Sequence, residues 1–292
     1  MYRIASLLLA LLAPCPALAH ASEVARGGVE QGFRVVLIGA IVVGALLYAK
    51  GIIALWRKAG VGRGIRRGQS VNFALGWAAL AASLLSPIDA LADRSFAIHM
   101  VQHEVLMVVA APLIVLGRPV EAWTWALTRP ARRFFAVAAN MTMFRAIGYL
   151  TTLSLGAWML HALAVWVWHL PLLFRAALLN PVVHILQHGC FFGSALAYWY
   201  TVVAGRARNP TGSSIASLFT TMLHTSALGA LLTFAPSPWY VIDGTRPFGL
   251  SALEDQQLGG LIMWVPGGMA YMIVGLIIVG RWLAPPRIPA KT

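Results

Sequence analysis

Two copies of the pattern H-x-x-Q-H pair histidines four residues apart, first at His99 and His103 and again at His184 and His188. On a helix, residues at this spacing lie on one face, one turn apart. Each pair opens an apolar run, where an imidazole is costly unless it is paired or liganded. Two such pairs on neighbouring helices would offer four imidazoles to one metal ion. We expect copper, which imidazole and thioether ligands suit.

Three further histidines, His161, His169 and His224, lie within or at the end of other apolar runs. Counting residues from the ends of the runs predicts two layers beneath the outer membrane face. The outer layer contains His99, His169 and His184, and the deeper one contains His103, His161, His188 and His224. All seven are candidate metal ligands. A single histidine such as His161 or His169 serves equally well as a hydrogen-bonding group between helices.

Four polar residues close to these histidines are candidates for a supporting role. Gln102 and Gln187, the glutamines of the two patterns, would each hold an imidazole in one tautomer. Glu104 and Asp255 place carboxylates at the outer ends of their runs. There they would offset the positive ends of helix dipoles, which otherwise repel a cation.

The composition is that of a membrane protein. Of the 292 residues, 59% are hydrophobic and only 11% are charged, whereas soluble domains carry about 25% charged residues. The net charge of +13 would suggest nucleic acid as a partner in a soluble chain. Here the basic residues cluster between apolar runs without the aromatic interleaving of a nucleic-acid surface, so we expect membrane lipid and no nucleic acid.

Residues 1–19 predict a cleavable signal peptide, with Arg3, a short apolar core and a small-residue ending. Cleavage fits after Ala19 and also after Ala21. Residues 20–292 then form a single transmembrane domain. The predicted fold is all-α, a polytopic membrane helical bundle of seven transmembrane helices. Their expected ranges are 33–56, 71–91, 96–116, 150–170, 182–203, 215–234 and 257–283.

Basic residues also predict the orientation. Fifteen Lys and Arg residues fall in the loops after the first, third and fifth spans and in the tail, against five on the other side. The side with fifteen should be cytoplasmic. The N-terminus is then outside and the C-terminus cytoplasmic. Residues 118–147, rich in Trp, Phe and Arg, are predicted to form a cytoplasmic amphipathic segment on the membrane surface.

No pattern in the chain indicates catalysis. Nucleophile–base pairs, phosphate loops and nucleotide fingerprints are absent from the sequence, and its two cysteines, Cys15 and Cys190, form no C-x-x-C motif. We therefore expect a protein that is not an enzyme. The loop at 235–256, rich in Pro and Gly, either covers the histidines or docks a partner.

Three blocks resemble the CtaG-type polytopic cytochrome c oxidase assembly factor family. They are residues 99–119, residues 166–192, and residues 222–240 with 253–268. The resemblance implies a multi-pass protein of the bacterial plasma membrane, required to mature a haem–copper oxidase. The partners it implies are an oxidase subunit or a copper chaperone.

Three hypotheses follow. In the first, the chain binds copper near the periplasmic face and delivers it to a haem–copper oxidase subunit. In the second, it binds haem or modifies it, with histidine pairs as axial ligands. In the third, it is a structural assembly chaperone that binds no metal.

Overall fold

The computed structural model describes residues 16–85, 87–141, 153–204, 211–240, 242 and 247–284. Within these ranges the chain is helical and contains no strand, which confirms the all-α prediction. Helices α1 to α7 span Pro16–Ala59, Arg67–Leu85, Pro87–Ala92, Phe96–Glu104, Ala111–Leu116, Pro119–Ala126 and Arg129–Ala139. Helices α8 to α13 span Ser154–Trp168, Pro171–Leu179, Pro181–Trp199, Thr211–Thr233, Ala252–Ile262 and Gly268–Leu283.

A helix overlaps each of the seven predicted spans, but not all of these helices are equally apolar. Four stretches of the described chain are long and apolar enough to cross a membrane: Gln31–Ala59, Phe96–Leu116, Thr211–Thr233 and Ala252–Leu283. A fifth is obtained if α8 and α9 together make one bent span. Helices α2 and α10 lie at predicted positions but are less apolar. The chain is thus a multi-pass membrane protein, while seven spans, the signal peptide and the orientation stay predictions. Helix α1 runs unbroken through both predicted cleavage positions.

Three π-helical segments interrupt the bundle, at Val105–Ala110, Tyr200–Ala204 and Met263–Gly267. Two of them have a proline as their cause. Pro112 lies two residues after the end of the first segment and Pro266 lies inside the third. A proline ring clashes with the carbonyl four residues earlier, and a wider turn relieves that clash. The first segment begins two residues after His103, so it sets the direction of the helix beneath the histidine pair.

The N-terminal helices pack around an aromatic group. The rings of Tyr48 and Phe73 stack with their centroids 3.6 Å apart, and the Tyr48 hydroxyl donates to the carbonyl of Gly117. Helices α2 and α5 approach closely at Gly76, where an added Cβ would lie 2.8 Å from the backbone nitrogen of Ile114. This packing fixes α5, which continues the segment that carries His99 and His103.

The predicted amphipathic segment at 118–147 is two helices with different environments. Helix α6 packs into the bundle, because Ala122 is fully buried and the Trp123 indole donates to the carbonyl of Gly44 on α1. Helix α7 instead exposes Phe134 and Phe135 beside its arginines, as an amphipathic surface helix would. The small residues of α6 let it approach α1, and the location of the segment on the membrane surface stays a prediction. Residues 142–147 lie outside the described ranges.

The stretch after the fourth predicted span is also helical. Helices α8 and α9 meet at an angle of 75°, with His169 and Leu170 at the bend. Leu170 is extended, as expected for a residue before a proline, and Pro171 starts α9. Residues 171–181 lie between the fourth and fifth predicted spans. The bend turns α9 back across the end of the bundle that holds the histidine pairs.

Candidate metal centre

Helix α4 holds His99 and His103 on one face below a firmly fixed N-terminus. Ser95 is the N-cap, and its hydroxyl accepts from the backbone of Ile98. The buried Asp255 carboxylate of α12 accepts hydrogen bonds from the Ser95 hydroxyl at 2.6 Å and from the backbone nitrogens of Phe96 at 2.7 Å and Ala97 at 3.1 Å. A carboxylate at this end complements the helix dipole. Asp255 therefore supports the site by fixing the helix that carries two of its rings.

Helix α10 presents the second pair in the same way. Its N-cap is Asn180, whose side-chain oxygen accepts from the backbone nitrogens of Val182 and Val183, and Pro181 occupies the first helical position. Such a start is favoured because these backbone groups have no partner within the helix. His184 and His188 follow on one face of α10, with ring centroids 4.4 Å apart.

The two pairs converge. The ring centroid of His103 lies 4.3 Å from that of His99 and 5.2 Å from that of His188, and His99 lies 5.3 Å from His184. One ring nitrogen from each of His99, His103 and His188 lies within 4.8 Å of the other two. Nitrogen–metal bonds of about 2.0–2.1 Å place two ligand atoms at most about 4.2 Å apart. Small ring rotations would therefore bring all three onto one ion. We call His99, His103, His184 and His188 the histidine cluster.

The ring nitrogens of this cluster are buried and largely without hydrogen bonds. His99 and His103 are 0% and 1% exposed. Within the described chain, both nitrogens of each ring, and Nε2 of His188, lack a partner at hydrogen-bond geometry. The Gln187 side chain and the Ala92 carbonyl do lie near His99. Buried polar groups are nearly always hydrogen-bonded, so these ring nitrogens are available to bind a ligand.

His169 stands beside the cluster, at the bend between α8 and α9. Its ring centroid is 6.3 Å from that of His103. Its Nδ1 lies 2.6 Å from the carbonyl of Val165, while its buried Nε2 has no partner in the described chain. Donation from Nδ1 leaves Nε2 with a free lone pair, the state in which histidine commonly ligates metals. His169 is thus positioned as an additional ligand.

Aromatic rings that the sequence analysis did not single out enclose the cluster. Phe174 of α9 lies 5.2 Å from His99 between ring centroids, and Phe191 lies 4.6 Å from His103. Tyr240 packs on Phe174 at 4.4 Å and donates its hydroxyl proton to the carbonyl of His169. Burial raises the pKa of the Tyr240 hydroxyl, so this group stays a donor. Through Tyr240, the described part of the loop at 235–256 therefore contacts Phe174 and the backbone of His169. Only the position of Phe191, three residues after His188, gave a signal in the sequence.

The two glutamines of the repeated pattern differ in their surroundings. Gln102 donates from Nε2 to the carbonyl of Ser83 and to the carboxylate of Asp89, each at 2.8 Å. It thus ties α4 to the end of α2 and to α3. Gln187 is fully buried, and its amide lies near His99. Of the two, Gln187 is the one placed to orient an imidazole.

Glu104, His161 and His224 lie outside the cluster. The Glu104 carboxylate is close to Gly267, where an added Cβ would sit 2.7 Å from Oε2. His161 is already hydrogen-bonded, with Nδ1 3.1 Å from the Ser194 hydroxyl and Nε2 3.4 Å from the Tyr271 hydroxyl. His224 accepts from the Trp166 indole at 3.3 Å. Five of the seven candidate histidines are therefore neighbours. His161 and His224, which were predicted in the deeper layer, are not among them.

The methionines that could offer thioether ligands belong to the larger hydrophobic core. Met100, Met107 and Met263 are buried there, and Met222 packs against it.

Comparison with known proteins gives one match. The family model described as cytochrome c oxidase caa3 assembly factor (Caa3_CtaG) matches residues 46–284, which confirms the resemblance noted above. No curated protein and no solved structure matches the chain.

Proposed function

This chain belongs to the cytochrome c oxidase caa3 assembly factor family, and we propose that it acts in assembly by binding copper at the histidine cluster and passing it to an oxidase subunit. The observation that carries the proposal is the convergence of three imidazoles from two helices, two of them buried and one half-buried, with ligand atoms within 4.8 Å of one another. Neutral imidazole is a good ligand for copper. The predicted orientation would open the site toward the periplasm of a bacterial plasma membrane.

The same geometry favours a single ion over haem. The axial ligands would come from different helices, and the rings that meet across α4 and α10, His99 with His184 and His103 with His188, have centroids only 5.3 and 5.2 Å apart. Axial ligands must lie on opposite faces of the macrocycle, and rings this close leave no room for it between them. The aromatic side chains of Phe174 and Phe191 already fill the sides of the cluster.

Packing between helices does not by itself explain the histidine cluster. Helices held together by histidines alone would use them as hydrogen-bonding groups, as His161 does with Ser194 and Tyr271. The rings of His99 and His103 contact each other without such bonds in the described chain. Desolvated polar groups of this kind destabilise a fold unless a ligand compensates them.

The test combines elemental analysis with oxidase maturation. Wild type, a His103→Ala/His188→Ala double variant and a His224→Gln control would be purified in detergent, loaded with copper and analysed for bound metal. The same genes would be expressed in a deletion strain, and oxidase activity in membranes would be measured with and without added copper. We expect the double variant to lose both copper and oxidase maturation, and the control to retain both.

Added imidazole separates ligand loss from misfolding. The cavity left by His103→Ala accommodates a free imidazole, so millimolar imidazole should restore copper binding to that single variant. Intact oxidase maturation in the double variant would disprove the copper route. If the wild type also bound no metal, the structural chaperone would be the correct function.

A further inference from the structure

We infer that Lys58 of α1, Trp125 of α6 and helix α7 form a docking surface for anionic phospholipid, with a headgroup phosphate held by Lys58 and Arg132. We call these three parts the basic surface. It lies where the 96–116 segment ends, whereas the histidine cluster lies near the start of that segment, so the inference does not depend on copper binding. It follows from the charge of this end of the bundle, from two cations beside one indole ring, and from an exposed amphipathic helix.

Positive charge dominates this end of the bundle. Residues 57–67 and 118–133 together contain nine Lys and Arg residues and a single carboxylate, that of Glu121. The two stretches meet in the structure, where the Arg118 guanidinium donates to the carbonyl of Gly64. Arg118 also forms an ion pair with Glu121, with nitrogen and oxygen 2.8 Å apart. The charge of this end therefore favours a negatively charged partner.

Two of the cations lie against the same aromatic ring. The Lys58 ammonium is 5.7 Å from the ring centroid of Trp125, and the central carbon of the Arg132 guanidinium is 5.9 Å from it. The face of an indole attracts each cation, but two positive charges beside one ring also repel each other. An anion that contacts both would offset this repulsion and accept charge-assisted hydrogen bonds from each.

The Arg132 side chain is held across the break between α6 and α7. Leu127 and Thr128 are extended at this break, and Nη2 of Arg132 donates to the carbonyl of Leu127 at 3.3 Å. A guanidinium has five N–H donors in a fixed fork, so further donors remain for a phosphate oxygen. Lys58 comes from the last turn of α1. A phosphate bound to both cations would therefore tie α7 to α1.

Helix α7 also offers the apolar face that a lipid surface requires. Its three arginines follow the i, i+3, i+4 spacing of one helix face. Phe134, Phe135 and Val137 occupy the rest of the circumference, and each is more than half exposed. Such a helix fits the boundary between headgroups and acyl chains, where the phenyl rings enter the apolar layer and the arginines stay with the phosphates.

Anionic phospholipid is the partner that matches both the charge and the apolar face. In the predicted orientation this end of the bundle faces the cytoplasm, where the membrane leaflet has a negative surface potential. A soluble anion would neutralise Lys58 and Arg132 but would leave Phe134 and Phe135 exposed. An apolar protein surface would cover the phenylalanines but leave the cations without a counter-charge.

The experiment measures lipid binding to the full chain, purified and delipidated in a neutral detergent. Phosphatidylglycerol and phosphatidylcholine with the same acyl chains would be titrated separately, with native mass spectrometry counting the bound lipids. Each basic residue near an anionic surface contributes about fivefold in affinity. We expect phosphatidylglycerol to bind the wild type at least about tenfold more tightly than phosphatidylcholine. Lys58→Gln/Arg132→Gln should lower this ratio of affinities by at least about fivefold.

Two further double variants separate charge from apolar contact. Arg94→Gln/Arg175→Gln removes the same charge from exposed positions at the end of the bundle that holds the histidine cluster, and it should leave the ratio unchanged. Phe134→Ser/Phe135→Ser should weaken the binding of both lipids alike, because acyl chains are common to the two.

Three results would overturn the inference. Equal affinity of the wild type for the two lipids would mean that the basic surface does not recognise anionic phospholipid. A ratio that is unchanged in Lys58→Gln/Arg132→Gln would remove the phosphate from these two residues. A ratio that falls as far in Arg94→Gln/Arg175→Gln would mean that net charge, and not the basic surface, attracts the lipid. The wild-type comparison decides by itself if a variant does not fold.

Discussion

Removal of the Asp255 carboxylate tests how strongly the start of α4 is held. This carboxylate accepts three hydrogen bonds, from the Ser95 hydroxyl and the backbone nitrogens of Phe96 and Ala97. In Asp255→Ala the two backbone donors stay buried without these bonds. Hydrogen bonds to a charged acceptor contribute about 1.5–3 kcal/mol each and are not additive. We expect Asp255→Ala to lower the free energy of unfolding by about 4 kcal/mol.

The assay is thermal unfolding of the detergent-solubilised protein at one fixed scan rate, because membrane proteins commonly unfold irreversibly. At about 2–4 °C per kcal/mol, the unfolding temperature should fall by about 8–16 °C. Copper affinity should fall too, since α4 carries His99 and His103. Asp255→Asn keeps one acceptor oxygen but turns an NH₂ group toward a backbone donor, so its effect should be intermediate.

The neighbouring carboxylate is the matched control. Glu254 is exposed and caps only its own helix, through a reciprocal pair of hydrogen bonds with Ser251. Glu254→Ala removes the same charge one residue away and should leave copper affinity unchanged. An Asp255→Ala protein that unfolds within about 2 °C of the wild type would refute the assigned role of Asp255, given the size of shift expected for even one lost charged hydrogen bond.

Three further outcomes are expected. Gly51→Ala should destabilise the fold by about 1–3 kcal/mol, because its Cβ would lie 1.8 Å from the carbonyl oxygen of Ala122. Gly39→Ala is the control, because nothing lies within 4 Å of its added Cβ, and it should stabilise α1 by about 0.5–1 kcal/mol. Equal unfolding temperatures for Gly51→Ala and Gly39→Ala would contradict the close approach of α1 and α6. Tyr240→Phe removes the hydroxyl that donates to His169, so chelators should extract copper faster. An unchanged extraction rate in stopped-flow measurements would show that Tyr240 does not hold the bend in place. Gln187→Leu should weaken copper binding by about tenfold. Gln102→Leu should lower the free energy of unfolding by about 1–2 kcal/mol and leave copper affinity unchanged. The reverse result would mean that the roles of the two glutamines are exchanged.

Spacing along the chain was enough to predict which histidines share a helix face. His103 and His188 each sit one turn below a partner on helices that start at the same end of the bundle, so their convergence follows from the repeated pattern. The positions of the main helices could also be predicted from the sequence, because a long apolar run is most simply a helix that crosses the membrane. The all-helical fold and the family are confirmed, while metal ligation stays a proposal.

Counting residues from a helix end predicts how deep a side chain lies in the membrane, but not which neighbouring helix it faces. His161 was placed in the same layer as His103, yet it faces Ser194 and Tyr271. The side to which a ring points depends on which helices pack around its own, and one sequence does not contain that information. The glutamines show the same limit, since one motif position contacts Asp89 and the other lies near His99.

The aromatic rings around the histidine cluster could not be predicted from the sequence, for a different reason. Phe174 lies between two predicted spans and comes near His99 because the chain bends by 75° between α8 and α9, while Tyr240 comes from the loop at 235–256 and packs on Phe174. Pro171 predicts an interruption at this point but not its angle. The angle is set by tertiary packing, including the hydrogen bond from Tyr240 to the carbonyl of His169.

The wide turn at Val105–Ala110 has a consequence for comparing relatives of this chain. It accommodates one residue more than an α-helical turn, so everything after it is rotated by about 100° from a straight continuation. A helical-wheel projection drawn through 96–116 therefore assigns Ile114, which lies against Gly76, to the wrong side. A relative lacking one residue here could continue as a plain α-helix and would still present the same edge to the neighbouring helix.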